Sequence, residues 1–285
     1  MARRQQRYRR TVGVVVAAGV VGCFCLGSAG CTRSDAVAGG APAGDPVRVL
    51  HGAADALVAA GSSKARTSLE MVTGGTRVTI RGEGVYDYRK RLGRLRVLLP
   101  QEPAGESVRR RTLVELLAPG ALFMKNRGAG VPADKWVRVD TGTLSDGNLV
   151  TGGATDPFAA AEVLRGTREA TFVGRTEVAG TRVRHYRGTA DLAAAAQDAS
   201  DANRGPLAAA AEGFATAEVP FDAYLDDQGR IRKVRHRFSF VNGENGGGDK
   251  PVAVASTTLL YDFGAPADVR LPEGEDIYAG RIAEE

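Results

Sequence analysis

Alternation of apolar and polar residues runs through most of the chain, and it limits the possible folds more than any other feature. Clear examples are residues 69–71, 77–81, 95–97 and 136–140. Every second residue in these segments is apolar, which is typical of an antiparallel β-strand with one buried face and one face in water. The sequence therefore predicts a mainly antiparallel β-protein whose sheet has one apolar face.

Short turn-forming sequences separate these runs. Gly74-Gly75, Ala179-Gly180 and the segment 226–229 each lie between two alternating segments, as in β-hairpins. The glycine-rich segment 242–251 predicts a longer loop between two further strands.

Helices are predicted at three places. Apolar spacings of three and four from Pro46 to Gly61 predict one amphipathic helix, and Asp156-Pro157 is a typical helix start. The alanine-rich segment 191–214 has high helix propensity, with an expected break at Gly205-Pro206. Because it contains few large apolar residues, we expect either a loosely held flap or a surface spacer.

The first thirty residues have the order of a secretory signal peptide. Five arginines precede an apolar stretch at 12–26, and small residues at 27–30 precede Cys31. The apolar stretch is shorter than the roughly 18 residues that a permanent membrane span requires. We therefore expect residues 1–30 to be removed on export.

All three cysteines lie near this segment, at Cys23, Cys25 and Cys31. Disulfide, thiolate-metal and cysteine-nucleophile chemistry is thus excluded from the chain after residue 31. The small residues before Cys31 resemble the lipobox of bacterial lipoproteins, in which the cysteine is acylated. Cys23 fits the same pattern, and secretion with an unmodified cysteine is a further alternative. We favour Cys31 because the whole apolar stretch then precedes it.

Residues 31–45 are predicted to be the lipidated cysteine and a flexible tether with a reach on the order of 20 Å. The chain has 38 basic and 33 acidic residues, and five of the basic ones lie in residues 1–30. The remaining chain is therefore formally neutral, and its high overall pI does not indicate nucleic-acid binding. We interpret the remaining basic cluster, Arg109-Arg110-Arg111, as a solvated strand or loop edge.

Residues 46–285 are predicted to form a single β-rich domain with no catalytic residue, metal site or cofactor. Its histidines, His51, His185 and His236, lie in separate segments and show no metal-ligand spacing. We interpret them as surface or edge residues. Tyr86 and Tyr88 share one strand face and are predicted either to line a cavity mouth or to form a packed pair.

Four segments, at 82–88, 173–181, 225–231 and 261–266, resemble in their order those of LppX/LprG-type lipoproteins, which have a LolA-like fold. The resemblance implies an α+β half-barrel: a strongly curved antiparallel sheet with helices on its concave face and an apolar cavity that accepts lipid acyl chains. It would cover residues 46–285. The alanine-rich segment departs from the family pattern.

The residue pattern supports such a cavity independently, because a few helices must cover one face of a large sheet. An apolar groove left between them would hold hydrocarbon, since each buried methylene contributes about 0.8 kcal/mol. Each predicted lining residue can equally be ordinary core. The candidate ligand-binding residues are Leu57 and Phe158 on helices and Leu69, Met71, Val78, Ile80, Leu95, Val97, Leu122, Met124, Phe221, Leu225, Phe238 and Phe240 on strands.

The sequence thus predicts a non-enzymatic lipid carrier or chaperone, anchored at the extracytoplasmic face of the cell membrane. Its expected partners are the membrane, through the lipid anchor, a lipid ligand, and a transporter or another envelope protein. The alternative is an envelope interaction or sensory domain that uses the same half-barrel as a platform.

Overall fold

A single antiparallel sheet of eleven strands dominates the computed structural model, within the residues that it describes. These are residues 44–73, 76–99, 112–125, 130–151, 154–240 and 252–279. The strands are β1 (Ser62–Thr73), β2 (Thr76–Asp87), β3 (Leu92–Leu98), β4 (Thr112–Ala118), β5 (Ala121–Lys125), β6 (Trp136–Asp140), β7 (Thr167–Val178), β8 (Thr181–Asp191), β9 (Glu218–Leu225), β10 (Ile231–Phe240) and β11 (Val252–Tyr261).

Two meanders make up this sheet. The order across it is β6-β5-β4-β3-β2-β1-β11-β10-β9-β8-β7, so every pair except β1–β11 joins consecutive strands. The edge strands β6 and β7 lie at opposite ends of this order, and the curved sheet stays open. The predicted fold class, a mainly antiparallel α+β half-barrel, is confirmed.

One hairpin shows why the chain turns where the sequence predicts. Val178 pairs with Thr181, so Ala179 and Gly180 form a two-residue turn with φ values of 47° and 76°. This left-handed conformation suits the right-handed twist of the two strands.

Five α-helices accompany the sheet in the described part of the chain. They are α1 (Pro46–His51), α2 (Ala53–Ala60), α3 (Pro157–Val163), α4 (Leu192–Asp198) and α5 (Asp201–Gly213). The predicted start of α3 is confirmed, because the Asp156 carboxylate accepts hydrogen bonds from the backbone N–H groups of Phe158 and Ala159. The helix predicted from 46 to 61 is divided at Gly52, a residue type of low helix propensity.

The expectation of a loose alanine-rich flap broken at Gly205-Pro206 was wrong. Helix α5 continues through Pro206, and the break falls earlier, between Asp198 and Asp201. Both helices contribute to the main core, where their small side chains allow a close approach to neighbouring elements. Their contributing residues are Leu192, Ala195, Ala196, Leu207 and Ala210.

The strand register gives the sheet two different faces. In β1, Ser63, Ala65 and Thr67 are buried, whereas Lys64 and Arg66 are exposed. We call the face that carries the buried residues and packs against the helices the inner face, and the opposite one the outer face. The inner face and the helices share one continuous hydrophobic core.

Residues 262–279 follow β11, and we call them the C-terminal strap. Val269 and Ile277 of the strap pack against a second cluster that contains Leu116 and Phe123 on the outer face. Ile277 also forms a parallel bridge to Trp136 at the start of β6. The strap therefore covers the outer face at the β4–β6 end of the sheet.

Among the helices within the described ranges, none has both the length and the apolar character needed to cross a membrane.

The close pairing of β2 and β3 predicts a strict requirement for glycine at position 84. A Cβ atom at Gly84 would overlap the carbonyl oxygen of Arg94 on β3. Gly84→Ala should therefore lower the free energy of unfolding by about 2 to 3 kcal/mol in urea denaturation. Gly52→Ala is the control: a Cβ there meets only ordinary contacts. A Gly84→Ala protein as stable as the control would contradict this packing.

Candidate functional site

Most predicted lining residues lie in the core between the inner face and the helices. Leu69 is also buried, outside that cluster, and Ile80 and Phe240 pack partly buried against it. Met71 and Val78 are partly exposed. The nine residues in the core are Leu57, Leu95, Val97, Leu122, Met124, Phe158, Phe221, Leu225 and Phe238.

The inner face is incompletely covered near the β1–β2 hairpin. Leu69 pairs with Ile80, and Met71 pairs with Val78, so these apolar side chains share the inner face. Met71, Val78 and Ile80 each keep part of their surface exposed. We call Met71, Val78 and Ile80 the open end of the inner face.

Alanine supplies many of the buried helix residues. The helices contain a few larger anchors, such as Leu57 and Phe158. An alanine buries one methyl group, so an alanine-faced helix gains less from packing than a leucine-faced one. The buried alanines are Ala53 and Ala54 of α2, Ala159, Ala160 and Ala161 of α3, Ala195 and Ala196 of α4, and Ala210 of α5.

A buried polar group lies in the middle of the apolar inner face, and we call Thr67, Thr258 and His236 the inner polar cluster. Thr67 on β1 pairs with Thr258 on β11, and His236 on β10 pairs with Ser256 of β11. Thr67 Oγ1, Thr258 Oγ1 and His236 Nε2 are buried and have no hydrogen-bond partner among the described residues. Burial lowers the pKa of His236 to about 3 and keeps the ring neutral.

The interpretation of all three histidines as surface or edge residues was wrong for His236. It is 1% exposed and lies in a central strand. The alternation of the strand indicates that His236 is buried, because it lies at an inward position between Val234 and Phe238, which also face inward. His185 instead bonds Asp222 on the outer face, and His51 Nε2 lies 3.0 Å from the backbone oxygen of Thr167.

The residues that lead into α3 contact the sheet directly, and we call Ala154, Thr155 and Asp156 the α3 entry segment. Thr155 Oγ1 donates to the backbone oxygen of Leu149 at 2.8 Å and lies 2.6 Å from Ser256 Oγ on β11. A Cβ placed on Gly82 of β2 would lie 3.1 Å from the Ala154 Cβ. The segment thus joins the helical cover to the centre of the inner face.

Asp156 is a partly buried carboxylate next to two interior tyrosines. Tyr86 donates a hydrogen bond from its hydroxyl to Asp156 Oδ2 at 3.3 Å, and the Tyr88 hydroxyl lies 2.7 Å from Ser63 Oγ. The two tyrosine rings pack 5.1 Å apart, so they are an interior pair. Burial raises the pKa of Asp156 to about 6, against the opposing effect of its backbone hydrogen bonds.

A groove of about 400 Å³ lies on the outer face and was not predicted from the sequence. Gly84 and Leu95 contribute to its wall, although both occupy inward-facing positions of β2 and β3. The sequence feature that indicates this groove is the run of basic residues at outward positions of the strands. The other lining residues are Lys64, Glu83, Val85, Arg94, Arg96, Val114 and Tyr261.

Several predicted features lie outside the described residues. They include the signal peptide, the lipidation site at Cys31 with its alternative Cys23, the tether up to residue 43, Arg109-Arg110-Arg111 and the loop at 242–251. Among the residues that are described, no group of three or more His, Cys, Asp or Glu side chains is placed to hold a metal ion.

The strand order, the open edges and the helix-covered inner face define an open antiparallel half-barrel. No family model matches the sequence, and no curated protein does. Solved structures of similar fold include lipoprotein LppX of Mycobacterium tuberculosis, with 10% identity, a TM-score of 0.45 and coverage of 80% of this chain and 100% of that one.

Two other solved structures also come from bacterial proteins. LprF of Mycobacterium bovis has 12% identity and a TM-score of 0.39, with 80% of this chain and 97% of that chain covered. A putative outer membrane lipoprotein-sorting protein domain of Vibrio parahaemolyticus has 9% identity and a TM-score of 0.31, with 78% and 93% covered.

Asp156 and His236 predict opposite effects of pH on stability. The raised pKa of Asp156 gives a stability that is full below about pH 4 and is lost as pH rises to about 6. The lowered pKa of His236 gives a stability that is full above about pH 6.5 and is lost as pH falls toward 3. In the native protein these two effects partly cancel.

Single variants should separate the two effects. On acidification from about pH 6 to pH 4, Asp156→Asn should lose stability and His236→Phe should gain it, each on the order of 2 kcal/mol. Asparagine keeps the helix-capping oxygen, so the α3 start is preserved. Urea denaturation at each pH measures the effect. Parallel pH profiles for both variants would show that these groups do not titrate as described.

Proposed function

We propose that this protein is a non-enzymatic carrier that binds lipid acyl chains between the inner face of its sheet and the covering helices. The observation that carries the proposal is the contact between an extensive apolar face and short helices that meet the core largely through alanine. Such a cover excludes water from the sheet but is held by little apolar area per residue. A hydrocarbon chain can therefore take the place of the helix contacts.

The hydrophobic effect is large enough to drive this exchange. A ten-carbon acyl segment gains roughly 8 kcal/mol on burial, before the losses of association and ordering. A buried alanine contributes a single methyl group, on the order of 1 kcal/mol. Displacement of a few alanine contacts by an acyl chain is thus favourable.

The inner polar cluster weakens the closed arrangement further. A buried polar group without a partner costs about 1 to 3 kcal/mol. Thr67, Thr258 and His236 each carry a buried atom at the centre of the inner face that has no partner in the described part of the chain. An ester or hydroxyl group of a bound lipid would supply the missing partner.

The open end of the inner face supplies a route for the ligand. Met71, Val78 and Ile80 continue the apolar surface of the core to partly exposed positions beside the β1–β2 hairpin. An acyl chain that enters here meets mainly apolar side chains before it reaches the inner polar cluster. The predicted acyl anchor at Cys31 and its tether would hold the domain near the membrane.

Extraction of purified protein tests the proposal directly. The chain from Thr32 to Glu285, freed of tags, should yield acyl lipids at a near-stoichiometric ratio on extraction with organic solvent and mass spectrometry. An empty protein that co-purifies with an envelope protein would instead support the platform alternative.

A reversible clamp tests whether the cover must open. A Cβ on Gly82 would lie 3.1 Å from the Ala154 Cβ, a little closer than the about 3.5 to 4.5 Å of a disulfide, and 2.6 Å from Thr67 Oγ1. Gly82→Cys combined with Ala154→Cys can therefore form the bond after a small local shift of Thr67 and the α3 entry segment. The chain after residue 31 has no other cysteine, so it is the background for the double variant. The oxidised double variant should take up at least about tenfold less fluorescent fatty acid than the same protein after reduction.

Two controls make the clamp interpretable. The Gly82→Cys and Ala154→Cys single variants should bind equally well before and after reduction. Circular dichroism should show that the oxidised double variant keeps its β-sheet spectrum. Undiminished uptake by a folded, fully oxidised clamp would mean that acyl chains do not enter between the α3 entry segment and β2.

A further inference from the structure

The outer face of the central strands is strongly basic, although the chain after residue 30 is formally neutral. We call the outer residues of β1, β2, β3, β10 and β11 the basic outer face. It carries three acidic residues, Glu70, Glu83 and Asp87. Its nine basic residues are Lys64, Arg66, Arg77, Arg81, Arg94, Arg96, Lys233, Arg235 and Arg237.

Some compensating negative charge borders this face, because Arg237 pairs with Asp222 of β9, Arg235 with Glu70 and Lys64 with Asp262 of the strap. Further exposed acidic residues lie on the helices and in the C-terminal strap, which covers the neighbouring β4–β6 end of the same outer face, so the two charge signs are separated along the sheet. Such separation produces a local field even when the net charge is near zero. These acidic residues are Asp262, Asp268, Glu273, Glu275 and Asp276 in the strap and Asp55, Asp198, Asp201 and Glu212 on the helices.

Few of the cations in the outer groove are neutralised. Arg94 and Arg96 are exposed and form no ion pair with any described residue. Glu83 lies 4.0 Å from Arg66, and Lys64 donates to Asp262 at 2.9 Å, both in exposed pairs of the kind that contribute little in water. The groove therefore offers at least two cations beside the apolar side chains of Val85 and Val114.

The strand between the two basic rows carries no charge on the outer face. Ala255, Thr257 and Leu259 of β11 lie between the basic residues of β1 and those of β10. The five strands together span about 20 Å, at roughly 4.8 Å between neighbours. This width is much larger than a single phosphate group, and it suits an extended negative surface.

We propose that the basic outer face docks on an anionic phospholipid bilayer, with the outer groove receiving the phosphate of one lipid. The groove combines cations with apolar walls, as the interfacial region of a phospholipid requires. Docking would leave the helices and the inner face directed away from the bilayer. The inference does not depend on acyl-chain binding, because it uses the opposite face of the sheet.

Amine footprinting of the full-length protein on vesicles tests this docking. Lys64 and Lys233 should react several-fold more slowly with an acylating reagent on vesicles containing phosphatidylglycerol than on pure phosphatidylcholine. Lys90 and Lys135, which lie outside the basic outer face, should react equally on both. High salt should abolish the protection, because screening weakens exposed charge interactions.

Two matched variants assign the effect to the basic outer face. Arg94→Gln/Arg96→Gln should lower the docked fraction about 25-fold relative to the undocked one, since each cation near an anionic bilayer contributes roughly a factor of five. Arg48→Gln/Arg204→Gln removes the same charge from the exposed surface of α1 and α5 and should keep the protection of Lys64.

Three results would overturn the proposal. These are equal labelling on the two kinds of vesicle, equal loss of protection in both double variants, and protection of Lys64 by glycerol phosphate alone, which would indicate a small-anion site. Each result leaves lipid extraction and the disulfide clamp unaffected, so failure of the docking proposal is distinguishable from failure of the carrier proposal.

Discussion

The exclusion of water from one apolar sheet face is the constraint on which the rest of the structure depends. Eleven strands create more inner surface than helices of six to thirteen residues can cover with large side chains. The chain covers it instead with alanine-rich helices that lie close to the sheet. This thin cover leaves an incompletely covered end near Met71 and a centre where Thr67 and His236 are buried without partners among the residues that the structure describes.

The two faces of the sheet have opposite chemistry because side chains alternate along each strand. In β3, Leu95 and Val97 belong to the core, whereas Arg94 and Arg96 line the outer groove. A register shift of one residue would exchange these positions and bury the guanidinium groups. The register that seals the core is therefore also the one that creates the basic outer face, and selection on either property acts on both.

Alternation revealed the strands and the inward direction of residues such as Leu95 and Phe238, because a period of two is visible in any short segment. The start of α3 was equally visible, since capping by Asp156 is local. The pairing of β1 with β11 was not, because it joins segments nearly two hundred residues apart. Sheet curvature depends on such distant contacts. The same contacts determine how closely α4 and α5 approach the core, how deeply His236 is buried and how deep the outer groove is.

An open sheet also has two edges with backbone groups free to pair with another molecule. At the β6 edge, Tyr278 of the C-terminal strap donates its backbone N–H to the carbonyl oxygen of Trp136. Beside it, the Lys135 ammonium donates a hydrogen bond to the backbone oxygen of Glu275. At the β7 edge, the register is interrupted at Gly174, between charged residues such as Glu169 and Arg175. Charges and irregular pairing of this kind discourage strand addition. Many copies can then crowd together without polymerising edge to edge.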